Sequence, residues 1–329
     1  MFTIVIDTLG SERGIEVSCL AGYRFACETG ASVVFVGDTQ AIERFFSVHD
    51  IRDMNCRIVH TTSKVLMSED AAIGIESKPN ASILLAFHDL HEGRSDAVVS
   101  AGHTGATVLA ARHTCGMLTG IRRSALCQVI PARDGRRCIL IDSGAALSAT
   151  SRDLMIFGFM GSVMARELLG IEVPRIGLLN IGSESSKGSS RLKQTYQLMQ
   201  AVATRSETYC FAGNIEGQQI WDGAVDVIVT DGCTGNILLK SSEGLIDFCM
   251  HCLQRSTHDG SISGILQKRS YGGAPLVGIR GTAVVCHGNA GADEIERACH
   301  VAYDCFRQSL WNKIDRDLAQ LDLPSNPAL

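Results

Sequence analysis

The chain has 329 residues, of which 45% are hydrophobic, and its formal net charge is −5. That length predicts one large α/β unit or two lobes, and the acidic balance lacks the basic footprint of nucleic-acid-binding proteins. Glycine is abundant at 33 residues and proline scarce at 6, which favours tight turns between strands and helices over disorder.

Short β-branched runs alternate with amphipathic stretches of helical period along the chain. The predicted strands are Phe2–Ile6, Ser32–Val36, Arg57–His60, Ala97–Ser100, Cys138–Ile141, Ile176–Asn180, Tyr209–Phe211, Asp226–Val229 and Thr282–Cys286. The face of the helix after the last strand is predicted to hold Ile295, Ala298, Cys299, Ala302 and Phe306. This alternation predicts a mostly parallel sheet covered on both faces. We expect one catalytic domain over residues 1–320 and a frayed tail over 321–329.

The 13 cysteines are scattered, mostly in apolar runs, and favour reduced core thiols over a disulfide framework. Cys249 and Cys252 have a C-x-x-C spacing, but no second pair completes a zinc site. Cys233 lies in a glycine-rich turn, but sequence assigns it no histidine base, so covalent catalysis is the minor interpretation. No stretch reaches the roughly 20 apolar residues of a membrane span. These features predict a cytoplasmic protein.

Six predicted strands end in loops that combine glycine with Asp, Ser, Thr, Asn, His or Lys. They are Asp7–Gly10, Ser100–Gly105, Asp142–Ala146, Gly182–Gly188, Thr230–Asn236 and His287–Gly291. Because open α/β sheets bind ligands beyond the carboxyl ends of their strands, we expect a site there. Glycine exposes backbone amides, and amides at a helix N-terminus attract anions. Since Lys187 adds a positive charge, Gly182–Gly188 is the predicted anion cradle, although no Walker motif or G-x-G-x-x-G is present.

Helix capping is the plainer interpretation of any single loop, with Asp231, Thr234 and Asn236 as caps. Six such loops at one sheet edge favour a ligand site instead. His103 and His287 lie in two of these turns. Each fits anion donation or proton transfer as well as it fits capping or packing.

The segments SAGHTGA, PRIGLLNIGSESSKG, AGNIEG, VDVIVTDGCTGNILLKSSEG and YGGAPLVGI…VVCHG occur in the order found in PlsX-type enzymes. From Ile4 to about Arg307 the chain resembles this family, the phosphate acyltransferases of bacterial phospholipid synthesis. The resemblance implies a two-lobed α/β/α sandwich, similar to phosphate acetyltransferases and to the isopropylmalate dehydrogenase-like fold. It also implies that acyl-[acyl carrier protein] and inorganic phosphate become acyl phosphate and free carrier protein, feeding glycerol-3-phosphate acylation.

The same resemblance implies a cytoplasmic homodimer, with some members peripherally attached to the inner face of the membrane. Acyl carrier protein and inorganic phosphate are the implied partners, and an acyl phosphate:glycerol-3-phosphate acyltransferase acts downstream. No cofactor or metal is implied, because phosphate is itself the nucleophile. The family's helical protrusion is shortened here, around residues 243–270, which argues against membrane contact.

Carried onto this chain, the catalytic roles fall on Lys187, Asp231, Asn236 and His287. In this assignment Gly182–Gly188 holds phosphate and the Asp231–Asn236 turn positions the thioester. The assigned substrate- and phosphate-binding residues are Asp7, Gly10, His103, Thr104, Gly105, Asp142, Gly144, Gly182, Ser183, Glu184, Gly188, Gly232, Thr234, Gly235 and Gly288.

Three strand ends depart from the family's pattern. The usual D-A-M-G-G-D reads DTLGSE from Asp7, D-x-G-A-N ends in Ala146, and H-G-S-S-D reads HGNAG from His287. These departures motivate a second hypothesis, a catalytically weakened scaffold that binds carrier protein. A third hypothesis keeps the enzyme but replaces carrier protein with coenzyme A. The intact loops around Lys187 and Asp231 favour the acyltransferase.

Overall fold

A computed structural model of the chain describes residues 1–133, 135–206, 208–256 and 272–321. Backbone contacts divide the chain into two compact units. The first unit consists of Met1–Leu126 and Gly272–Leu321, and the second begins at Cys127. Residues 257–271 and 322–329 lie outside the described ranges, so the predicted protrusion is described only to Ser256 and the predicted tail only at Leu321.

All nine predicted strands are present, with ends that differ by a few residues. The strands are β1 (Thr3–Asp7), β2 (Ser32–Gly37), β3 (Cys56–His60), β4 (Ala97–Ser100), β5 (Ala125–Pro131), β6 (Arg137–Ile141), β7 (Arg175–Leu179), β8 (Cys210–Ile215), β9 (Val227–Val229), β10 (Ala274–Val277) and β11 (Thr282–Val285). The sequence analysis missed β5 and β10. Both run antiparallel to their neighbours, and neither leads into a helix, so the strand-then-helix pattern did not mark them.

Helices follow most of the parallel strands. They are α1 (Ile15–Thr29), α2 (Thr39–Val48), α3 (Ala71–Ser77), α4 (Ser82–His91), α5 (Thr104–Thr114), α6 (Ser151–Leu169), α7 (Ser190–Ala203), α8 (Gly232–Ser256), α9 (Ala292–Arg307) and α10 (Leu310–Gln320), with a 3-10 turn at Gly217–Trp221. In α9 the predicted apolar face is buried except at Phe306, which is 37% exposed. Cys305 is buried in its place, because it lies three residues after Ala302 on the inward face.

In the first unit the strands are ordered β3-β2-β1-β4-β11-β10. The first five run parallel, β10 is antiparallel to β11, and the first two residues of β5 pair with β10. Its core includes the fully buried side chains of Ile4, Phe25 and Phe35. Because β1 lies between β2 and β4, chain order reverses there. Such a reversal opens a crevice beyond the carboxyl ends of the strands.

In the second unit the strands are ordered β5-β6-β9-β7-β8, and only β5 is antiparallel. Helix α6 begins with a capping box between Thr150 and Asp153 and is buried along most of its length. Gly161 lets this helix approach the sheet closely, since a Cβ there would lie 2.5 Å from Val227. The carboxyl ends of β6, β9 and β7 therefore lie side by side, together with the loops that follow them.

None of the 13 cysteines forms a disulfide, and seven of them are buried. Burial raises the pKa of Cys19 and of Cys138 to about 12, so neither is a thiolate at neutral pH. Cys249 and Cys252 are exposed on α8. Within the described ranges, no helix combines the length and apolar character that crossing a bilayer requires.

Candidate active site

The loop after β6 is organised by the buried carboxylate of Asp142. Its Oδ1 accepts hydrogen bonds from the amides of Gly144 at 3.0 Å and Ala145 at 2.9 Å, and its Oδ2 accepts one from the amide of Ala146 at 2.6 Å. The peptide bond between Ile141 and Asp142 is cis. These contacts give Asp142 a positioning role within its own loop. Its assignment to substrate binding stays a prediction.

The turn after β9 starts helix α8, and Asp231 caps it. Oδ1 of Asp231 accepts a hydrogen bond from the Thr234 amide at 2.9 Å, and its carbonyl accepts one from the Gly235 amide at 2.8 Å. The capping role considered from sequence is therefore present for this residue. Thr234 and Asn236 are exposed. The side chain of Asn236 faces Gly144, where a Cβ would lie 3.6 Å from that of Asn236.

Glycine is required in this turn because two loops pack backbone against backbone. A Cβ on Gly232 would lie 2.7 Å from Oδ2 of Asp142, and one on Gly235 would overlap the carbonyl oxygen of Asp142. The amide of Gly232 also donates to the Ala146 carbonyl at 2.9 Å. The two glycines therefore join the loop after β6 to the start of α8.

Arg191 links three of these segments, and the sequence analysis did not single it out. From the first turn of α7, its Nη2 donates to Oδ2 of Asp231 at 2.5 Å and its Nη1 to the carbonyl of Ala149 at 2.9 Å. Burial alone would raise the pKa of Asp231, but the Thr234 amide and the Arg191 guanidinium together lower that pKa below its ordinary value. A cation in the first turn of a helix is disfavoured by the helix dipole. The position of Arg191 in α7 could therefore have indicated that its side chain has an acidic partner.

The loop from Gly182 to Gly188 leads from β7 into α7, which Ser189 caps. Two asparagines that are at most 8% exposed donate hydrogen bonds to the backbone of this loop. Asn180 donates to the Lys187 carbonyl at 3.2 Å, and Asn214 donates to the Glu184 carbonyl at 2.8 Å. Neither asparagine was assigned to the site from sequence, because each acts through backbone contacts that only the fold creates.

This loop has the groups that bind an anion. Within the described ranges, the backbone amides from Gly182 to Ser186 donate no hydrogen bond inside the protein. The Lys187 side chain is 48% exposed, and its ammonium lies 3.9 Å from the nearer carboxylate oxygen of Glu184. Gly188 has a φ of +84°, and a Cβ there would collide with Asn180. Free amides, a helix N-terminus and one ammonium group together favour a phosphate-sized anion.

In the first unit, Asp7 lies beneath the loop that follows β1. Its carboxylate is buried, and Oδ2 accepts a hydrogen bond from the Ser100 hydroxyl at 2.9 Å. Among the described residues, Oδ1 has no hydrogen-bond partner. A Cβ on Gly10 would lie 2.8 Å from both Asp7 Oδ2 and the backbone of Gly102. Asp7 and Gly10 thus join the loops after β1 and β4.

His103 is the N-cap of α5, ahead of Thr104 and Gly105 in its first turn. Its Nδ1 accepts from the Ala106 amide at 3.3 Å, and its Nε2 lies 3.2 Å from the Glu69 carbonyl. Both ring nitrogens are therefore engaged, as in the capping interpretation. Proton transfer by this histidine would first require one of these bonds to break.

His287 is exposed in the turn after β11. The adjacent Gly288 carbonyl accepts a hydrogen bond from the Glu12 amide at 2.8 Å, which joins this turn to the loop after β1. A Cβ on Gly288 would collide with the methyl group of Met67. The structure therefore groups the predicted loops of the first unit at one sheet edge, as the sequence analysis expected.

Comparison with known proteins identifies the family. Residues 2–313 match the family described as "Fatty acid synthesis protein". The chain belongs to this family. It is 34% identical to the phosphate acyltransferase of Desulforudis audaxviator, over 93% of each chain. It is 33% identical to that of Lawsonia intracellularis, over 94% of this chain and 92% of the relative. The family inferred from the sequence motifs is confirmed.

The fold of this family member is shared with solved phosphotransacetylases. The enzyme from Streptococcus pyogenes superposes with a TM-score of 0.68 at 15% identity, covering 93% of this chain and 94% of that one. At this identity the likeness concerns the fold alone. It confirms the predicted α/β class with a mostly parallel sheet.

One departure from the family's pattern is explained by the geometry. The asparagine expected after Gly144-Ala145 is Ala146, but Asp142 uses the backbone amide of that residue, which alanine retains. The loop after β6 therefore keeps its hydrogen bonds without the missing side chain.

Replacing Asp231 with alanine is expected to lower the free energy of unfolding of this family member by about 2 kcal/mol at neutral pH. The change removes a helix cap and leaves Arg191 without its carboxylate, a cost reduced because Arg191 is partly solvated. The folded-state pKa of Asp231 is lowered, so its stabilisation is present above the ordinary value of 3.8 and is lost as pH falls through the folded-state value.

Urea denaturation of the wild type and of Asp231→Ala at neutral and acidic pH measures this difference. The difference in free energy of unfolding between the two proteins should become smaller below pH 3.8. Asp231→Asn is the control. Its side-chain oxygen can still accept a hydrogen bond from the Thr234 amide, but the substitution removes the negative charge. A gap that does not change with pH would contradict the ion-pair account.

Replacing Asp7 with asparagine is expected to have the opposite pH dependence. Burial raises the pKa of Asp7, against the smaller opposing effects of the Ser82 and Ser100 hydroxyls. The stability that Asp7 contributes is therefore complete below pH 3.8, the ordinary pKa of the group, and is lost as the pH rises through its folded-state pKa. Asp7→Asn should be more stable than the wild type by about 1 kcal/mol in mildly alkaline buffer. Equal pH profiles of unfolding for the two proteins would contradict this.

Proposed function

We propose that the protein transfers the acyl group of acyl-[acyl carrier protein] to inorganic phosphate, releasing acyl phosphate and free carrier protein. The observation that carries this proposal is the row of amides from Gly182 to Ser186 beside the Lys187 ammonium, at the start of α7. Such a row suits phosphate better than a carboxylate, because phosphate carries more charge and more acceptor oxygens for several donors. The relatives' shared name, phosphate acyltransferase, supports the same reaction.

In the proposed reaction a phosphate oxygen attacks the thioester carbonyl carbon. The new bond is C–O, the bond that breaks is C–S, and the carrier's thiolate leaves and takes up a proton. The Gly182–Gly188 loop holds phosphate and aims it, which removes much of the entropic cost of a reaction between two molecules. In this proposal the side-chain amide of Asn236, exposed in the first turns of α8, donates to the developing oxyanion.

Asp231 acts here as a positioning residue, since its carboxylate is already bonded to Arg191 and the Thr234 amide. Lys187 neutralises charge on phosphate as it approaches the carbonyl. His287 lies in the first unit, and its assignment to catalysis stays a prediction from the sequence. We further propose that the protein acts in the cytoplasm as a homodimer and that an acyl phosphate:glycerol-3-phosphate acyltransferase consumes its product.

The test is phosphate-dependent release of the carrier thiol. Dodecanoyl thioesters of acyl carrier protein and of coenzyme A are each incubated with the protein, with and without phosphate, and thiol release and acyl phosphate are measured. Release from the carrier thioester that requires phosphate supports the proposal. Equal or faster thiol release from the coenzyme A thioester would mean that coenzyme A, instead of carrier protein, carries the acyl group. Carrier binding without release would support the scaffold hypothesis instead.

A further inference from the structure

Three large aliphatic side chains project into solvent from segments at the carboxyl ends of strands in the second unit, where the proposed phosphate loop Gly182–Gly188 also lies. Leu147 is 77% exposed, Ile181 is 81% exposed and Ile237 is 61% exposed. We call these three residues the apolar rim. They follow β6, β7 and β9 respectively, and these strands are neighbours in the order β6-β9-β7.

The rim loops are tied to one another by hydrogen bonds. Next to Leu147, the Ala146 carbonyl accepts from the amide of Gly232, which starts the helix carrying Ile237. Arg191, from the helix that follows the Ile181 loop, bonds to Ala149 and Asp231 in the other two loops. The three aliphatic residues therefore belong to one connected edge of the second unit.

Isolated exposed aliphatic residues are common on protein surfaces and by themselves indicate nothing. Here their placement is uneven. The exposed large hydrophobic residues described in the second unit are the three of the rim, Val173, and Leu245, Ile246 and Phe248 further along α8. Val173 precedes β7 and so lies at the opposite end of the strands. The segments that directly follow β6, β7 and β9 thus carry three of these seven side chains.

The proposed reaction requires an apolar group at this edge. For phosphate in the Gly182–Gly188 loop to attack the thioester, its oxygen must come within about 3.5 Å of the carbonyl carbon. The alkyl chain begins at that carbon and must cross the neighbouring loops. Each methylene that it buries there strengthens binding by about fourfold.

We propose that the apolar rim binds the alkyl chain of the acyl donor and sets the preference for long over short chains. This inference rests on the proposed function, whose acyl donor it describes in more detail. It assigns Leu147, Ile181 and Ile237 a role in specificity that is separate from phosphate binding.

The test compares binding of dodecanoyl- and butanoyl-[acyl carrier protein] by titration calorimetry without phosphate. The variant carries Leu147→Ser, Ile181→Ser and Ile237→Ser, and Val173→Ser is the matched control. The triple variant should bind the dodecanoyl thioester about tenfold more weakly than the wild type and the butanoyl thioester nearly unchanged. Val173→Ser should bind both like the wild type. A second variant, Leu147→Met with Ile181→Leu and Ile237→Leu, should retain the preference for dodecanoyl.

Several results would overturn the inference. Equal weakening for both chain lengths would mean that the rim contacts the carrier protein instead of the alkyl chain. A changed oligomeric mass of the triple variant, with the chain-length preference retained, would make the rim an interface between copies. A wild type that binds both thioesters equally would also overturn it. Acyl phosphate measured in the same samples separates the two proposals. If the wild type binds the dodecanoyl thioester selectively but forms no acyl phosphate, only the proposed reaction is rejected. If acyl phosphate forms and the triple variant keeps the wild-type ratio of dodecanoyl to butanoyl binding, only the role of the apolar rim is rejected.

Discussion

Replacing Lys187 with alanine should reduce kcat/KM for phosphate by about 100-fold, comparable to the loss of one donor from an oxyanion site. Lys187 supplies a full positive charge in a loop whose other anion-binding groups are amide dipoles. Its side chain is half exposed and pairs only loosely with Glu184, so little of the fold depends on it. The free energy of unfolding should therefore change by less than about 0.5 kcal/mol.

Steady-state rates at varied phosphate concentration, together with urea denaturation, check both parts of this prediction. Lys193→Ala is the matched control, because Lys193 is an exposed lysine on α7, the helix that follows the loop. The control should alter kcat/KM by less than about twofold, as expected for a screened surface charge. Similar losses in the two variants would mean that general electrostatic attraction, rather than a phosphate site at Lys187, explains the effect.

Replacing Gly235 with alanine should destabilise the protein by about 3 kcal/mol and remove activity. The added Cβ would overlap the carbonyl oxygen of Asp142 and lie 3.0 Å from its carbonyl carbon. Because these are backbone atoms, no side-chain rotation relieves the collision. The loop after β6 and the start of α8 must separate, which displaces Asn236 from Gly144.

Gly244→Ala is the matched control on the same helix. A Cβ there meets nothing within 4 Å, and Gly244 is exposed. Since alanine favours helix over glycine, this variant should be more stable than the wild type by about 1 kcal/mol and remain active. Thermal unfolding of both variants gives the comparison. Equal destabilisation would show that any side chain on α8 is harmful, contrary to the packing described here.

The sequence predicted nine strands, six of them followed by loops of glycine and polar residues, since hydrophobic period and turn chemistry are local properties. It missed β5 and β10, which pair antiparallel and lack a following helix. The loops after β6, β7 and β9 were correctly expected at one edge, because parallel strands share the direction of their carboxyl ends.

The side chains that hold the loops of the candidate site in place could not be predicted from the sequence. Arg191 reaches Asp231 across 40 residues, and Asn214 reaches the Glu184 carbonyl across 30. Such pairs depend on which strands become neighbours, and here β9 inserts between β6 and β7. The three amides that the Asp142 carboxylate accepts from were likewise not predicted, and the assignment of Asp142 to substrate binding stays a prediction.

The most direct test of the account uses phosphate labelled with oxygen-18 and dodecanoyl-[acyl carrier protein]. If phosphate held beside Lys187 attacks the thioester, mass spectrometry will find dodecanoyl phosphate that retains every labelled oxygen. Lys187→Ala will form it far more slowly. Formation of unlabelled dodecanoic acid in its place, at a rate independent of phosphate, would show that water is the nucleophile and would contradict the account.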